Sequence, residues 1–496
     1  MSIPVKKREI FGWAMFDFAN SSYTTVVISV IYSAFFVGYV VPQGSTARDS
    51  YWSLAMILST VLALVLSPLA GAICDYSGRK KRYLALTAIV CSLGTAALAL
   101  AGPGQVGLAI FFLIVSNAAF MLSETFTGSF LPEISTPKNM GKISGLGWGI
   151  GYLGGVVSII VAAQLVIVAD PDTDLARFVA QNQLAMVVVG IFFLTAALPT
   201  FLLLRNRSTA VPGYENAGPI LLFRAGLREF KQSVAVARQY PILFQFLAAF
   251  MVYMAGLDAI VKFVGIYARE EVSLSVAELT GLFLVLQFSA AAGAIAFGAL
   301  EGRIGPKNTV LATLVWWIVG VLGIYMLPTI AEVTGADPKR IFLILGLFAG
   351  AGIGSTQASS RTVVGLLAPP HRVSQMFGFW SMFSRGGTLL GMSFGFVADG
   401  IGSRRTAVLL IVAFFVVGAV MLWRTDIERG LRGGGGWGGG GGGWSAGPRV
   451  RGSVASEPGC QWGLESTDCT DVTDSFNAWA GIRVVREPGL SHGFHG

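Results

Sequence analysis

The feature that most restricts this chain is a repeated one: predominantly apolar stretches of roughly 20 residues recur about twelve times, parted by short polar breaks. As a helix, each is long enough to cross a hydrocarbon core of ~30 Å. They lie near residues 11–40, 51–73, 83–101, 106–130, 142–168, 183–204, 241–268, 278–300, 309–330, 340–366, 374–398 and 405–423. The alternating in–out pattern of a membrane barrel is absent, and a helix satisfies its own backbone in lipid, so the spans are predicted to be helical. Composition agrees: 54% of the residues are hydrophobic and only 12% charged, against about a quarter charged in soluble domains. The expected fold class is an all-α membrane protein with twelve transmembrane helices and the lipid bilayer as its surroundings.

The formal charge of +8 could suggest nucleic acid, but its placement excludes that reading. Lys and Arg crowd alternate loops, among them Lys6, Lys7 and Arg8, Arg79 to Arg82, Lys138 and Lys142, Arg205 to Arg238, Arg303 and Lys307, and Arg424 to Arg432. By the positive-inside rule these loops and both termini face the cytoplasm. The opposite loops carry Asp170, Asp172, Asp174, Glu270, Glu271, Glu332 and Asp337, while Arg404 and Arg405 break the pattern. The opening Lys6-Lys7-Arg8 resembles the start of a signal peptide, but the apolar run behind it is too long and holds Asp17, so it is expected to stay as the first span. Among the four cysteines, Cys74 and Cys91 lie in or beside spans and Cys460 and Cys469 in the tail, so no disulfide framework is expected. Three histidines offer little material for a metal site, no phosphate-binding loop is present, and "GAGIG" (350–354) lies inside a span. Enzymatic activity and cofactors are therefore not expected.

The segment 205–240 is the longest between spans and divides the rest six plus six. Two repeats support that division. "GAICDYSGRKKR" (71–82) after the second span is answered by "GALEGRIGPKN" (298–308) after the eighth, and "GLGWGIGYLGG" (145–155) in the fifth by "GFWSMFSRGG" (378–387) in the eleventh. Such duplication predicts two pseudo-symmetric six-helix bundles. The expected domains are 1–204, a cytoplasmic inter-bundle loop 205–240, a second bundle 241–424 and a glycine-rich, disordered tail 425–496.

Chemistry concentrates where a lipid-spanning segment holds polar groups. In "GWAMFDFANSSY" (12–23), Asp17 and Asn20 share one helical face that Ser21 and Thr24 extend. An ionisable group within a span costs about 2.5–3.5 kcal/mol on insertion scales and faces a polar interior. The face is either part of a pathway for an amino group, proton or sodium, or a helix–helix hydrogen-bonding surface. Glu124 in the fourth span either exchanges a proton or pairs permanently with Arg361 or Arg385. Asp258 and Lys262, at i and i+4, either line the pathway or neutralise each other. In the cytoplasmic motif, Gly71 permits close helix approach, Gly78 a tight reversal, and Asp75 can pair with an arginine or accept from a helix N-terminus. With Arg79 and Lys80 these residues form either a gate that latches the halves or a topology signal. Gly147, Gly151 and Gly155 make a small-residue stripe for packing in the fifth span.

The loop motif resembles the signature of the major facilitator superfamily, Gly-x-x-x-Asp-Arg-x-Gly followed by basic residues. Tyr76 stands in place of the usual arginine, and Gly302 in place of the second acid. Within it, "GWAMFDFANSSY", "LPE" (131–133) and "SGLGWGIGYLGG" (144–155) are similar to the branch named after the yeast vacuolar amino-acid effluxer involved in autophagy, which has bacterial members. The superfamily resemblance covers about residues 8 to 425, and the branch resemblance the first 155. In the seventh span Ala255-Gly256 lacks the acidic residue that relatives place before glycine, so Asp258 need not inherit its role. The resemblance implies the major facilitator fold and secondary transport by alternating access. It implies a small-molecule substrate, an amino acid or related metabolite, moved as a monomer with H+ as candidate coupling ion, in a bacterial inner membrane rather than a vacuolar one. A transporter of sugar, drug or lipid, or a non-transporting sensor of the same fold, shares everything composition offers.

Overall fold

The computed structural model describes residues 5–42, 45, 47–270, 272–274 and 276–433. Glu271, Cys460, Cys469 and the glycine-rich run from 434 onward lie outside the described residues. The helices below belong to one compact unit, Met1–Gly438. The described residues hold helices and no strand.

The first half opens with α1 (Lys7–Ser22), which continues through π turns at Tyr23–Val30, the single turn α2 (Tyr32–Phe35) and π turns at Phe36–Val40. Then follow α3 (Arg48–Ser77), α4 (Lys80–Ala97), α5 (Val106–Ile134), α6 (Met140–Ile160, prolonged by π turns to Val166) and α7 (Leu175–Leu203). Between the halves lie α8 (Pro219–Lys231) and α9 (Ser233–Gln239), so the segment expected to be a plain loop is partly helical. Proline at the first position starts α8, and Leu222, Ala225 and Gly226 bury one face of it, Gly226 closing on Ile73 and Leu69 of α3.

The second half comprises α10 (Pro241–Glu270), α11 (Val276–Ile304), α12 (Pro306–Tyr325), α13 (Leu327–Thr334), α14 (Pro338–Leu367), α15 (Val373–Gly391), α16 (Ser393–Ile401) and α17 (Arg404–Arg424). α18 (Ile427–Gly433) corrects the expectation that everything after 425 is tail: Ile427 is buried, and Gly430 sits against Leu367 and Ile242.

Among the described residues, eleven helical segments are long and apolar enough to cross a membrane. The predicted span 374–398 is missing from them because α15 is rich in Ser374, Gln375, Ser381, Ser384 and Arg385 and the chain breaks at Met392 before α16. The predicted span 309–330 likewise runs past the end of α12, where Pro328 starts α13. Residues such as Leu93, Phe111, Ile191, Leu202, Val315 and Phe396 are well exposed, an arrangement that needs lipid rather than water outside it. Arg405, the basic residue out of pattern, donates from Nε to the Tyr325 carbonyl at 2.9 Å and stacks on that ring at 5.2 Å. It therefore satisfies a carbonyl at the end of α12.

Each half has its own apolar core. Trp13, Phe16, Phe126, Phe130 and Phe193 anchor the first, and Phe246, Phe250, Trp317, Phe377 and Phe415 the second. Two seams join them, α3 on α15 and α6 on α11. Lipid gives apolar helix faces no reason to seek each other, so close backbone approach must hold such seams. A Cβ on Gly71 would collide with the Ser374 carbonyl, one on Gly378 with that of Ser67, and one on Gly145 with that of Ala294. The expected stripe Gly147, Gly151 and Gly155 packs mainly on the first span: Gly147 and Gly151 back onto Asp17, and Gly155 onto Thr25 as well as Gln287 of α11. The seam with α11 uses Gly141, Gly145 and Gly149 instead. Gly78 and Gly305, the corresponding reversals of the two loop motifs, both have positive φ, +62° and +81°, which glycine adopts without steric cost.

Candidate functional site

Among the described residues, two ion pairs connect the halves, each taking its acid from the first and its arginine from the second. Arg361 on α14 reaches Asp17 on α1, with Nη1 donating to Oδ2 at 2.9 Å. Its Nε donates to Ser144 Oγ at 3.0 Å and its Nη2 to the Ser144 carbonyl at 2.8 Å. The guanidinium also lies 4.6 Å from the Trp13 ring centre and 5.4 Å from that of Trp148. Every nitrogen of the fork is used, and two aromatic faces take up the remaining charge, as a buried arginine requires. Gly147 makes the room: a Cβ there would stand 2.7 Å from Asp17 Oδ2.

Arg385 on α15 pairs through Nη2 with Oε2 of Glu124 on α5. Of the partners left open for Glu124 in the sequence, the structure joins it to Arg385 and gives Arg361 to Asp17. This second pair is less enclosed, its side chains 16% and 24% exposed against 4% and 14% in the first, and less saturated, since Arg385 Nε has no hydrogen-bond partner. Asn20 does not reach either arginine; its Oδ1 accepts from Ser123 Oγ at 3.2 Å, one residue from Glu124. Asp258 and Lys262 meet at 2.7 Å on α10, and Thr388 of α15 donates to Asp258 Oδ1 at 3.3 Å. α15 thus links Glu124 and Asp258 through residues one turn apart.

At the cytoplasmic end, Asp75 accepts from the backbone N–H groups of Ser374 and Gln375 at 3.0 and 2.8 Å. Those are the orphan donors at the start of α15, where a carboxylate also meets the positive end of the helix dipole. Gly71, one turn earlier, lets α3 come that near. The neighbouring basic groups do not cross to the second half. Lys80 pairs with Glu133 at 2.7 Å, and Arg79 donates to the Glu215 carbonyl at 3.0 Å.

Several residues escaped the sequence reading. Tyr76, in the arginine position of the motif, donates to Glu229 Oε1 at 2.9 Å, and Arg372 just before α15 meets Glu229 Oε2 at 3.1 Å. The connecting helix α8 therefore ties the two sides of the α3–α15 seam. Glu9, fully buried, lies 2.8 Å from Arg207. Glu301, adjacent to the Gly302 that the motif placed opposite Asp75, is the buried acid of the second repeat. Its only signal was a carboxylate at the edge of an apolar run. Among the described residues no group of His, Cys, Asp and Glu is placed to hold a metal ion.

The family model described as "Vacuole effluxer Atg22 like" matches residues 37–141 and 135–435. The chain is 25% identical over 414 residues to an uncharacterized MFS-type transporter, YxiO, of Bacillus subtilis, covering 83% of this chain and 93% of that protein. It is 24% identical over 402 residues to autophagy-related protein 22 of Kluyveromyces lactis, covering 77% and 80%. Among solved structures, the transporter FucP in its outward conformation superposes with TM-score 0.64 at 14% identity, covering 84% of this chain and 98% of that one. The proton:xylose symporter XylE gives 0.63 at 12% identity, covering 84% and 95%. At such identities the two structures speak for the fold alone, and it is the major facilitator fold. With the match of the family model, the chain belongs to the vacuole effluxer Atg22-like family of major facilitator transporters.

Proposed function

We propose that this transporter moves amino acids or closely related zwitterions by alternating access, in the direction of efflux and coupled to protons, with Asp17, Glu124, Arg361 and Arg385 lining its central pathway. The observation that carries the reading is the pair of acid–arginine contacts spanning the two halves. An amino acid brings one ammonium and one carboxylate, so it can replace each partner of such a pair in turn. A buried carboxylate left by its arginine needs a proton or a substrate cation. Asn20, Asp258 and Lys262 border this region and complete its polar lining. The gate is Asp75 with Gly71 and Gly78, buttressed by Arg79 and Lys80, and the contacts at Ser374, Gln375 and Gly378 support a conformation closed on the side of the basic loops.

The distribution of Lys and Arg supports cytoplasmic termini, and the Bacillus relative supports a bacterial inner membrane. The division into bundles at 1–204 and 241–424, joined by 205–240, is supported by the two separate apolar cores. The description of the matching family model supports efflux.

The test is efflux from proteoliposomes loaded with a mixed amino-acid pool, with and without a pH gradient. We expect selective, gradient-dependent loss of particular amino acids. Asp17→Asn with Glu124→Gln should retain fold and lose the response to the gradient. Unchanged efflux and pH dependence in the double variant would remove proton coupling through these acids, and no amino-acid efflux from the folded parent would remove the substrate class.

A further inference from the structure

The second repeat carries a carboxylate one residue before the position that aligns with Asp75, and surrounds it differently. Asp75 receives two backbone N–H donors. Glu301, on α11, is only 6% exposed and its Oε2 has no hydrogen-bond partner. The carboxyl presses on Gly141 of α6, where a Cβ would stand 2.7 Å from Oε2. From α14 the hydroxyls of Ser359 and Thr362 face it; Thr362 Oγ1 donates to the Ala358 carbonyl at 3.2 Å, which leaves its lone pairs free, and Ser359 Oγ is buried without a hydrogen bond of ordinary geometry.

No basic group is available to it. Arg361 on α14 is committed to Asp17 and Ser144, and Lys307 on α12 donates to the Trp423 carbonyl. Lys142 on α6 and Arg303 on α11 itself point to the exterior, as does Lys138 ahead of α6. Among the described residues no ion pair includes Glu301. A bare carboxylate in such a place would carry a desolvation penalty of several kcal/mol. Two hydroxyls and an orphan oxygen form a small acceptor cluster at the seam between the halves.

We propose that Glu301, with Ser359 and Thr362, is a binding site for a small monovalent cation, H+ or Na+, which neutralises the carboxylate while α6 and α11 are closed on each other. The proposal rests on the alternating-access reading above. When α6 leaves α11 the carboxylate meets water, its hydration replaces the bound cation, and the cation passes to the cytoplasm. Cytoplasmic cation therefore favours the closed seam, and its withdrawal favours opening. The site controls the gate and is separate from the acids of the central pathway.

The experiment reads conformation and needs no substrate, so its failure is distinguishable from failure of the amino-acid assignment. The full chain, with Cys460→Ser and Cys469→Ser, receives spin labels at Thr136→Cys and Asn308→Cys, exposed uncharged positions flanking the seam. Distances are measured in nanodiscs over a pH series and a NaCl series against choline chloride. Withdrawal of the cation should lengthen the distance, with the open-to-closed ratio rising by at most roughly tenfold per pH unit for one proton. A response to Na+ at fixed pH assigns sodium, and a response to pH alone assigns the proton. Glu301→Gln, neutral at every pH, should stay short throughout, whereas Glu301→Asp should keep a response at a shifted midpoint. A parent whose distance ignores both ions, or a Glu301→Gln protein that still responds, overturns the proposal.

Discussion

Arg361 and Arg385 hold comparable posts, each reaching from the second half to an acid of the first, yet their surroundings differ sharply. Arg361 has every nitrogen engaged and two indole faces against it. Arg385 has one acid and an unused Nε. A saturated guanidinium has nothing left to offer a ligand without first giving something up, whereas an unsaturated one can bind immediately. Within the proposed pathway, the difference suits Arg361 to holding the halves in register until substrate displaces it and Arg385 to meeting cargo first.

The largest effect should come from Arg361→Met. It leaves Asp17 buried without its cation, a loss of about 3–5 kcal/mol, visible as a lower thermal midpoint and poorer recovery in detergent. Adding Asp17→Asn should recover most of that stability without recovering transport. If Arg385→Met proved equally destabilising, the contrast between the two pairs would collapse. We expect Arg385→Met to keep nearly the parental midpoint while efflux falls roughly 30-fold, about 2 kcal/mol of lost binding to the charged group. Ser144→Ala sharpens the comparison at the small end. It strips one acceptor from Arg361 and should cost about 1 kcal/mol, moving that arginine part of the way toward the condition of Arg385.

The spans were legible in the sequence because lipid demands a long apolar run whatever the helix packs against. The acids within them were legible for the same reason: a charge in such a run stands out. Their partners were not, since Glu124 could have met either Arg361 or Arg385, and only the three-dimensional arrangement of α5, α14 and α15 decides. Glu301 was lost through counting. The repeat aligns Gly302 with Asp75, and a shift of one residue turns a side chain by about 100° on a helix. The glycine stripe of α6 was read as a packing surface, and the second glycine face that carries the seam, Gly141, Gly145 and Gly149, went unread because spacing alone does not say which helix each face meets. The break at Met326 had a signal in Pro328, because proline has no N–H to continue the α12 ladder and its ring crowds the preceding turn. The break at Met392 had no such marker.

Among the described residues the π turns fall in the first half alone, which makes the two halves unequal. They occupy Tyr23–Val30 and Phe36–Val40 of the first span and Val161–Val166 of the fifth, all beyond Asp17 on the side away from the basic loops. A π turn is wound more loosely than an α turn and can tighten by passing its surplus residue along the helix. Tightening would rotate the outer stretch about its own axis while the stretch that carries Asp17 stays clamped. The second half instead interrupts its helices at Met326 and Met392 on the same side. The outer ends of the two halves are therefore built differently, loosely wound helix in the first and interrupted helix in the second.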